Sequence, residues 1–166
     1  FITENNTTVT ILEIQNTTGA DKTVELSMLV PSCKQKDGDT LVGQARVDYK
    51  NLVLKASMDG GKISGEQIQK SVTIPAGQTV SQKAQMGFID EKDAQTGAEY
   101  KEYAGYTPEK AFETHVQEYN YWWVENIPSM WVPDAYIQKM IAYRWWIARA
   151  NVVDAGTYSY PFPTAM

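Results

Sequence analysis

Apolar and polar side chains alternate along the first ninety residues, and this period of two constrains the fold more than any other feature. Three runs show it: Val24, Leu26, Met28 and Val30; Leu52, Leu54, Ala56 and Met58; and Val80, Ala84, Met86 and Phe88, interrupted by Gln82. Such alternation is typical of a strand with one face in the core and one wetter face. Turn signals rich in Gly, Asp and Asn separate the runs at residues 16–21, 36–39, 59–61 and 75–77. We therefore predict part of an antiparallel β-sandwich over residues 1–92.

Net charge and hydropathy exclude two classes of partner. The chain has a formal net charge of -5 and a pI near 4.9. Because binding a phosphate backbone usually requires a basic face, we expect no nucleic-acid partner. The sequence contains no run of about 18 apolar residues, so we expect no membrane span.

Residues that bind metals or form disulfides are scarce. Cys33 is the only cysteine and His115 the only histidine, so we predict no intrachain disulfide, no metal site and no cofactor. A single cysteine fits the cytoplasm but also many bacterial secreted enzymes. The compartment stays open, and we favour a secreted or periplasmic location over the cytoplasm.

The sequence changes character near residue 93. Residues 93–106 are polar with scattered Tyr and Gly, and we interpret residues 93–128 as a linker that contains a helix over 107–127. Thr107 is the expected N-cap and Pro108 the first helical residue. A single apolar stripe follows, and Pro128 ends the helix; the stripe comprises Phe112, Val116, Tyr119 and Trp123.

A second helix is predicted over residues 133–153, starting at Pro133-Asp134. It is apolar nearly all round, and such a helix is expected to be enclosed on most sides. All five tryptophans lie between Trp122 and Trp146, where we expect them to pack between layers. The chain opens at Phe1 without a Met and stops after a Tyr/Pro-rich segment, so we expect an excerpt. The cover for helix 133–153 would come from the rest of the polypeptide or from a second chain.

The order of these elements resembles the six-hairpin glycoside hydrolases. The most specific segment is WVPDAYIQKMIAYRWW, residues 131–146, and the likeness includes an apparent hairpin at residues 8–30 and a strand pair at residues 72–88. The resemblance implies an N-terminal β-sandwich, a linker helix and, in residues 129–166, the first helix and first mouth loop of an (α/α)6 barrel. Bacterial α-L-rhamnosidase-like, glycogen-debranching-like and mannosylglycerate-hydrolase-like enzymes share this plan.

In such enzymes the loops at one end of the barrel bind sugar, and here the first of them would be residues 154–165. The resemblance therefore implies substrate-binding roles for Asp154, Tyr158, Tyr160 and Phe162, since aromatic rings stack on the C–H faces of sugars. Loop ordering by Asp154 and packing of the aromatic rings on the barrel rim are the alternatives. The catalytic carboxylates of these families lie on later elements, outside this sequence.

Other charged residues have structural interpretations. Glu109 and Glu113 are spaced i, i+4 and could share a helix face, yet such pairs are usually solvated surface. Asp134 is expected at a helix N-terminus, favoured by the macrodipole. Arg144 and Arg149 lie in an apolar helix, so a carboxylate or carbonyl partner is expected for each.

The sequence thus predicts a non-catalytic N-terminal portion of a glycoside hydrolase that cleaves glycosidic bonds in oligosaccharides, with carbohydrate as its ligand. The alternative is a noncatalytic β-sandwich module that binds a glycan or a protein at a surface. A third possibility is a structural subunit whose aromatic helix packs against a neighbouring chain.

Overall fold

In a computed structural model of the protein, the chain is described at residues 1–47, 50–150, 152–153 and 164–165. The strands are β1 Thr7–Gln15, β2 Lys22–Leu29, β3 Cys33–Asp37, β4 Thr40–Val47, β5 Lys50–Met58, β6 Lys62–Ser64, β7 Gln67–Ile74, β8 Thr79–Ile89, β9 Val152–Val153 and β10 Thr164–Ala165. The helices are α1 Ala94–Ala104, α2 Pro108–Asn126 and α3 Ala135–Ala150.

Two antiparallel sheets make up the first ninety residues. The large sheet has the strand order β1-β8-β5-β4-β3 and the small sheet the order β2-β7-β6. One apolar core lies between them, in which Leu54, Ala56 and Met58 of β5 meet Ile68 of β7. The alternation in the sequence places these residues on one face, and the predicted antiparallel sandwich followed by helices is confirmed at this level.

The connections of the sandwich differ from the two strand pairs that the sequence suggested. β1 and β2, expected as a hairpin at residues 8–30, lie in different sheets, and so do β7 and β8 of residues 72–88. Instead, β1 pairs with β8 and β2 pairs with β7. Both predictions of pairing were wrong, because each turn carries the chain from one sheet to the other.

Asn16 links the turn between β1 and β2 to the turn between β7 and β8 by hydrogen bonds. Its side-chain Nδ2 donates to the carbonyls of Ala20 at 2.8 Å, Ile74 at 2.9 Å and Pro75 at 3.2 Å, and its backbone N–H donates to Gln78. Asn16 itself is buried. These hydrogen bonds satisfy backbone carbonyls that have no strand partner where the chain passes from one sheet to the other.

The outer face of the large sheet carries helices. Val9 of β1 packs with Tyr103 of α1 and Ala111 of α2 in a second, smaller core. The large sheet is therefore the middle of three layers, covered on one face by the small sheet and on the other by α1 and the start of α2. Both faces of β8 are covered as a result, and its residues alternate between apolar contacts and buried polar groups.

Helix α1 lies inside the segment that was expected to be linker. Asp93 caps it by accepting a hydrogen bond from the backbone N–H of Gln95 at 3.0 Å. Its buried residues, Thr96, Tyr100 and Tyr103, are spaced by four and three positions and face the sheet. This spacing is a helical signal that the surrounding polar residues conceal.

The other helix starts agree with the sequence. Thr107 lies one residue before Pro108, the first residue of α2. Its hydroxyl oxygen accepts a hydrogen bond from the backbone N–H of Lys110 at 3.2 Å. Asp134 caps α3 by accepting from Tyr136 at 2.8 Å and Ile137 at 3.1 Å. Within the described ranges, no helix combines the length and apolar character needed to cross a membrane.

The chain divides into two compact units, Phe1–His115 and Val116–Met166, with the boundary inside α2. The first unit contains both sheets, both apolar cores and α1. The second contains the rest of α2 and α3.

Candidate functional site

The predicted substrate-binding residues Asp154, Tyr158, Tyr160 and Phe162 lie outside the described residues. The structure does describe the preceding helix α3 and two short strands that pair antiparallel. β9 directly precedes the predicted mouth loop, and β10 lies at the end of that loop. Helix α3 is therefore the described helix that leads toward the predicted sugar-binding loop.

Helix α3 exposes apolar side chains around most of its circumference. From Ala135 to Arg149 every residue is exposed except Ile141 and Arg149, which are partly buried. Tyr136 is 88% exposed, Tyr143 57% and Trp146 49%. Large apolar patches in water mark interaction sites, so this surface has the character of one that another element covers.

One side of α3 forms an open groove. It has a volume of about 590 Å³ and is lined by Met140, Tyr143, Arg144, Ile147 and Ala148. The small side chain of Ala148 and the flexible Met140 leave room, whereas Arg144 supplies one positive charge. Chemically, the groove can accept an apolar side-chain ridge or a ring, with a carboxylate or hydroxyl near the guanidinium.

Two aromatic rings stack beside this groove. The ring centroids of Tyr143 and Trp146 are 5.8 Å apart and the planes are inclined by 19°. Because both rings are about half exposed, the pair presents a flat apolar surface to solvent. Such a surface suits the C–H face of a sugar or another aromatic side chain.

Arg149 has aromatic partners where the sequence suggested a carboxylate or a carbonyl. Its guanidinium carbon lies 4.4 Å from the ring centroid of Tyr119 and 4.0 Å from that of Trp122. Both distances are within the range of cation–π attraction. In the described part of the second unit, Nη1 of Arg149 is buried without a hydrogen-bond partner. The rings of α2 therefore stabilise this cation and join α2 to α3.

The tryptophans are less buried than the sequence suggested. Trp122 and Trp123 are half-buried and meet edge to face, with centroids 5.8 Å apart. Trp131 is 77% exposed, and Trp145 and Trp146 are exposed on α3. In the described chain Trp122 and Trp123 are thus partly buried and the other three tryptophans exposed, and packing of these residues between layers stays a prediction.

The carboxylates Glu109 and Glu113 line a second groove, which lies wholly in the first unit. This groove has a volume of about 440 Å³, and its other lining residues are Ile11, Glu13, Ser81, Pro108 and Phe112. Phe112 belongs to the predicted buried stripe of α2 but is 56% exposed, because α2 packs on the sheet through Ala111. Sequence reasoning missed this groove, since β1 and α2 are a hundred residues apart.

The described residues offer little metal-binding or nucleophilic chemistry. Across residues 1–47, 50–150 and the two short terminal strands, no three His, Cys, Asp or Glu side chains are grouped to hold a metal ion. Cys33 is fully buried, and burial raises the pKa of its thiol, with a smaller contribution from the negative charge of Glu66. A raised pKa keeps the thiol protonated and unreactive.

No protein-family model matches the chain. The residues of the chain, above all those of α3, therefore carry the information about its function.

Proposed function

We propose that this chain is the non-catalytic N-terminal portion of a carbohydrate-active glycoside hydrolase, in which α3 is the first helix of an (α/α)6 barrel. The catalytic acid and base lie on later elements of that polypeptide, and carbohydrate binds at the loop after α3. The observation that carries the proposal is the exposed apolar surface of α3. Helix α3 follows a two-sheet domain and the helices α1 and α2, and the six-hairpin resemblance implies a sandwich and a linker helix before the first barrel helix.

The groove on α3 supports this proposal on physical grounds. Fully burying an exposed large apolar side chain contributes about 1.5–3 kcal/mol, and Met140, 47% exposed, and Tyr143, 57% exposed, would gain about half of such an amount each. A helix that leaves Met140, Tyr143 and Ile147 uncovered therefore has much to gain from neighbouring helices, as in a barrel. When two helices pack, side chains of one helix insert into the groove between residues of the other that are three and four positions apart.

The second candidate is a noncatalytic surface module that binds a glycan or a protein. The observation in its favour is that the first unit has its own apolar cores on both faces of the large sheet. On this alternative the 166-residue chain folds alone as a monomer, and the Tyr143–Trp146 stack binds its ligand unaided.

Activity measurements test the leading proposal. The polypeptide that continues beyond this segment should release sugar from at least one substrate in a broad panel of α- and β-glycosides and oligosaccharides. The 166-residue chain should release none. If the longer polypeptide neither binds nor hydrolyses any member of the panel, the proposal is wrong.

A pair of substitutions separates the two candidates. In the longer polypeptide, M140E/I147E should lower the free energy of unfolding by about 3–5 kcal/mol, because two carboxylates would be buried with Arg144 as the single cation among the residues that line the groove. In the 166-residue chain the same substitutions should change the free energy of unfolding by less than about 1 kcal/mol, because substitutions at exposed positions have small effects. They should also reduce the binding of an apolar dye.

The matched control is Q138E/K139Q, which changes the net charge equally at two polar positions of α3. It should have little effect in either chain. Equal effects of M140E/I147E in both chains would favour the surface module, because nothing would then cover α3 in the longer polypeptide.

A further inference from the structure

Two polar side chains meet across the interior of the sandwich. Gln82 is the polar residue that interrupts the apolar row of β8, and it is buried. Lys70 lies at a core-facing position of β7, between Ile68 and Val72, which are both buried. Nζ of Lys70 donates to Oε1 of Gln82 at 2.6 Å. An amine of the small sheet therefore contacts a carboxamide of the large sheet.

This contact brings the amine close to the carbon that an amine attacks. Because a C=O bond is about 1.2 Å long, a nitrogen hydrogen-bonded to Oε1 lies about 3–4 Å from Cδ. Nε2 of Gln82 donates to the backbone carbonyl of Asp59 at 3.0 Å, and Nζ of Lys70 donates to the same carbonyl at 2.6 Å. Two groups held at this distance react as though each were present at a very high concentration.

A carboxyl group lies beside the pair. Asp59 is the first residue of the turn after β5. Burial raises the pKa of its carboxyl, and the positive charges of Lys83 and Lys70 oppose this effect. A carboxyl of raised pKa accepts and returns protons near neutral pH more readily than an ordinary one. The turn therefore supplies a proton carrier next to the amine.

We propose that Lys70 and Gln82 form an isopeptide bond that joins the two sheets covalently. Nζ of Lys70 attacks Cδ of Gln82, a C–N bond forms, and the bond from Cδ to Nε2 breaks. The Asp59 carboxylate carries the two protons that the ammonium loses to the departing nitrogen, which leaves as ammonium. The reaction needs no oxidant, reductant or second substrate.

The bond would tie together strands that hydrogen bonding leaves apart. β7 and β8 lie in different sheets, and only the turn between them connects them along the chain. The new amide closes a ring over residues 70–82 through the core. Its remaining N–H keeps the carbonyl of Asp59 as an acceptor. The bond concerns the sandwich alone and does not depend on carbohydrate binding after α3.

Mass spectrometry of the folded 166-residue chain, denatured just before injection, tests the bond. Loss of ammonia should lower the mass by about 17 Da relative to the mass of the sequence. Trypsin should not cleave after Lys70, so residues 63–83 should appear as one peptide that carries the whole mass loss. A mass equal to that of the sequence, with cleavage after Lys70, would leave a hydrogen-bonded pair and overturn the proposal.

Two variants identify the reacting groups. K70R keeps a cation that can donate to the carbonyl of Asp59 but removes the amine, and Q82M keeps the side-chain length but removes the carboxamide. Each should have the full mass of its sequence. The matched control is K55R, because Lys55 meets Asp37 and not Gln82, and it should keep the loss of about 17 Da. A loss that persists in K70R would arise elsewhere in the chain and would contradict the proposal.

The role of Asp59 is tested by the rate of the reaction. The chain is recovered unfolded and unreacted, then refolded, and its mass is followed with time. D59A keeps the backbone carbonyl but removes the carboxyl, so the mass loss should appear at least about tenfold more slowly. D37A is the matched control and should react as the unmodified chain does. Far-UV circular dichroism establishes the folding of each variant, and equal rates for D59A and D37A would contradict proton transfer through Asp59.

Discussion

At the scale of single residues, the least expected feature is a buried lysine. Lys83 is 1% exposed, and its ammonium donates to the carbonyls of Tyr103 at 2.6 Å, Ala104 at 3.2 Å and Tyr106. These carbonyls belong to the C-terminal turn of α1 and the residues after it, where helices leave acceptors unsatisfied. Burial lowers the pKa of Lys83, and the Asp59 carboxylate at 3.7 Å opposes this effect. Lys83 therefore fastens α1 to the large sheet.

Replacing Lys83 should be strongly destabilising. K83M keeps much of the side-chain volume but removes the hydrogen bonds from the ammonium to three carbonyls, so the free energy of unfolding should fall by about 2–4 kcal/mol. Urea denaturation measures this. K55M is the matched control, because Lys55 meets Asp37 at 3.8 Å on a more exposed surface and should cost less than about 1 kcal/mol. Similar losses for the two variants would mean that Lys83 does not hold α1.

The buried phenol of Tyr100 predicts that the stability of the fold depends on pH in the alkaline range. Burial raises the pKa of its phenol above 10.0, partly offset by the hydrogen bond to Ser57 at 3.0 Å. Above pH 10 the unfolded chain loses this proton while the folded chain keeps it, so stability falls as pH rises through the raised pKa, by up to about 1.4 kcal/mol per pH unit.

The comparison with Y100F isolates this effect. Below pH 9 the difference in unfolding free energy between the two proteins should be constant. Above pH 10 the unmodified protein should lose stability relative to Y100F. A constant difference up to pH 11 would show that the phenol ionises as easily in the folded state as in the unfolded state.

At the scale of elements, close approach between α1 and β8 depends on a glycine. A Cβ at Gly87 would lie 2.6 Å from the Cδ2 atom of Tyr100, whereas one at Gly97, inside α1, would have its nearest neighbour at 3.6 Å. Strand and helix therefore touch at Gly87, and the sequence alone does not distinguish this glycine from those in turns.

The two glycines should respond oppositely to the same substitution. G87A should lower the free energy of unfolding by about 1–3 kcal/mol, because the extra methyl forces α1 away from the sheet. G97A should raise it by about 0.5–1 kcal/mol, since alanine favours a helix over glycine. Thermal unfolding of both variants checks the pair. Stabilisation by G87A would mean that α1 does not pack this closely.

At the scale of the whole molecule, the two units should differ in local stability. In the first unit, β5 and β8 lie in the middle of the large sheet with covered faces. In the second, α3 exposes most of its side chains. Local opening is easier where few apolar contacts must break, so in the 166-residue chain the amides of α3 should exchange faster than those of β5 and β8. Hydrogen-exchange mass spectrometry measures this, and equal protection would mean that α3 is already covered.

Part of the candidate site was predictable from sequence. Thr107 and Asp134 were identified as helix starts, and the aromatic character of α3 was plain, because caps and composition are local signals. The partners of Arg149 were not predictable, since an aromatic ring and a carboxylate can each stabilise a guanidinium. The groove between β1 and α2 was not predictable either, because no pattern within one segment shows which distant segment lies beside it.

The sequence by itself determined where most strands and helices lie and placed Val30, Leu54, Ala56 and Met58 on core-facing positions, because hydrophobic period, turns and caps act over a few residues. Only the tertiary structure decided that β1 pairs with β8 rather than β2, and that Lys83 and Gln85 on the polar face of β8 are buried. The physical reason is that a buried polar group is stable only when distant carbonyls supply its hydrogen bonds. Gln85 donates to Tyr100 at 2.9 Å, and Lys83 donates to the end of α1.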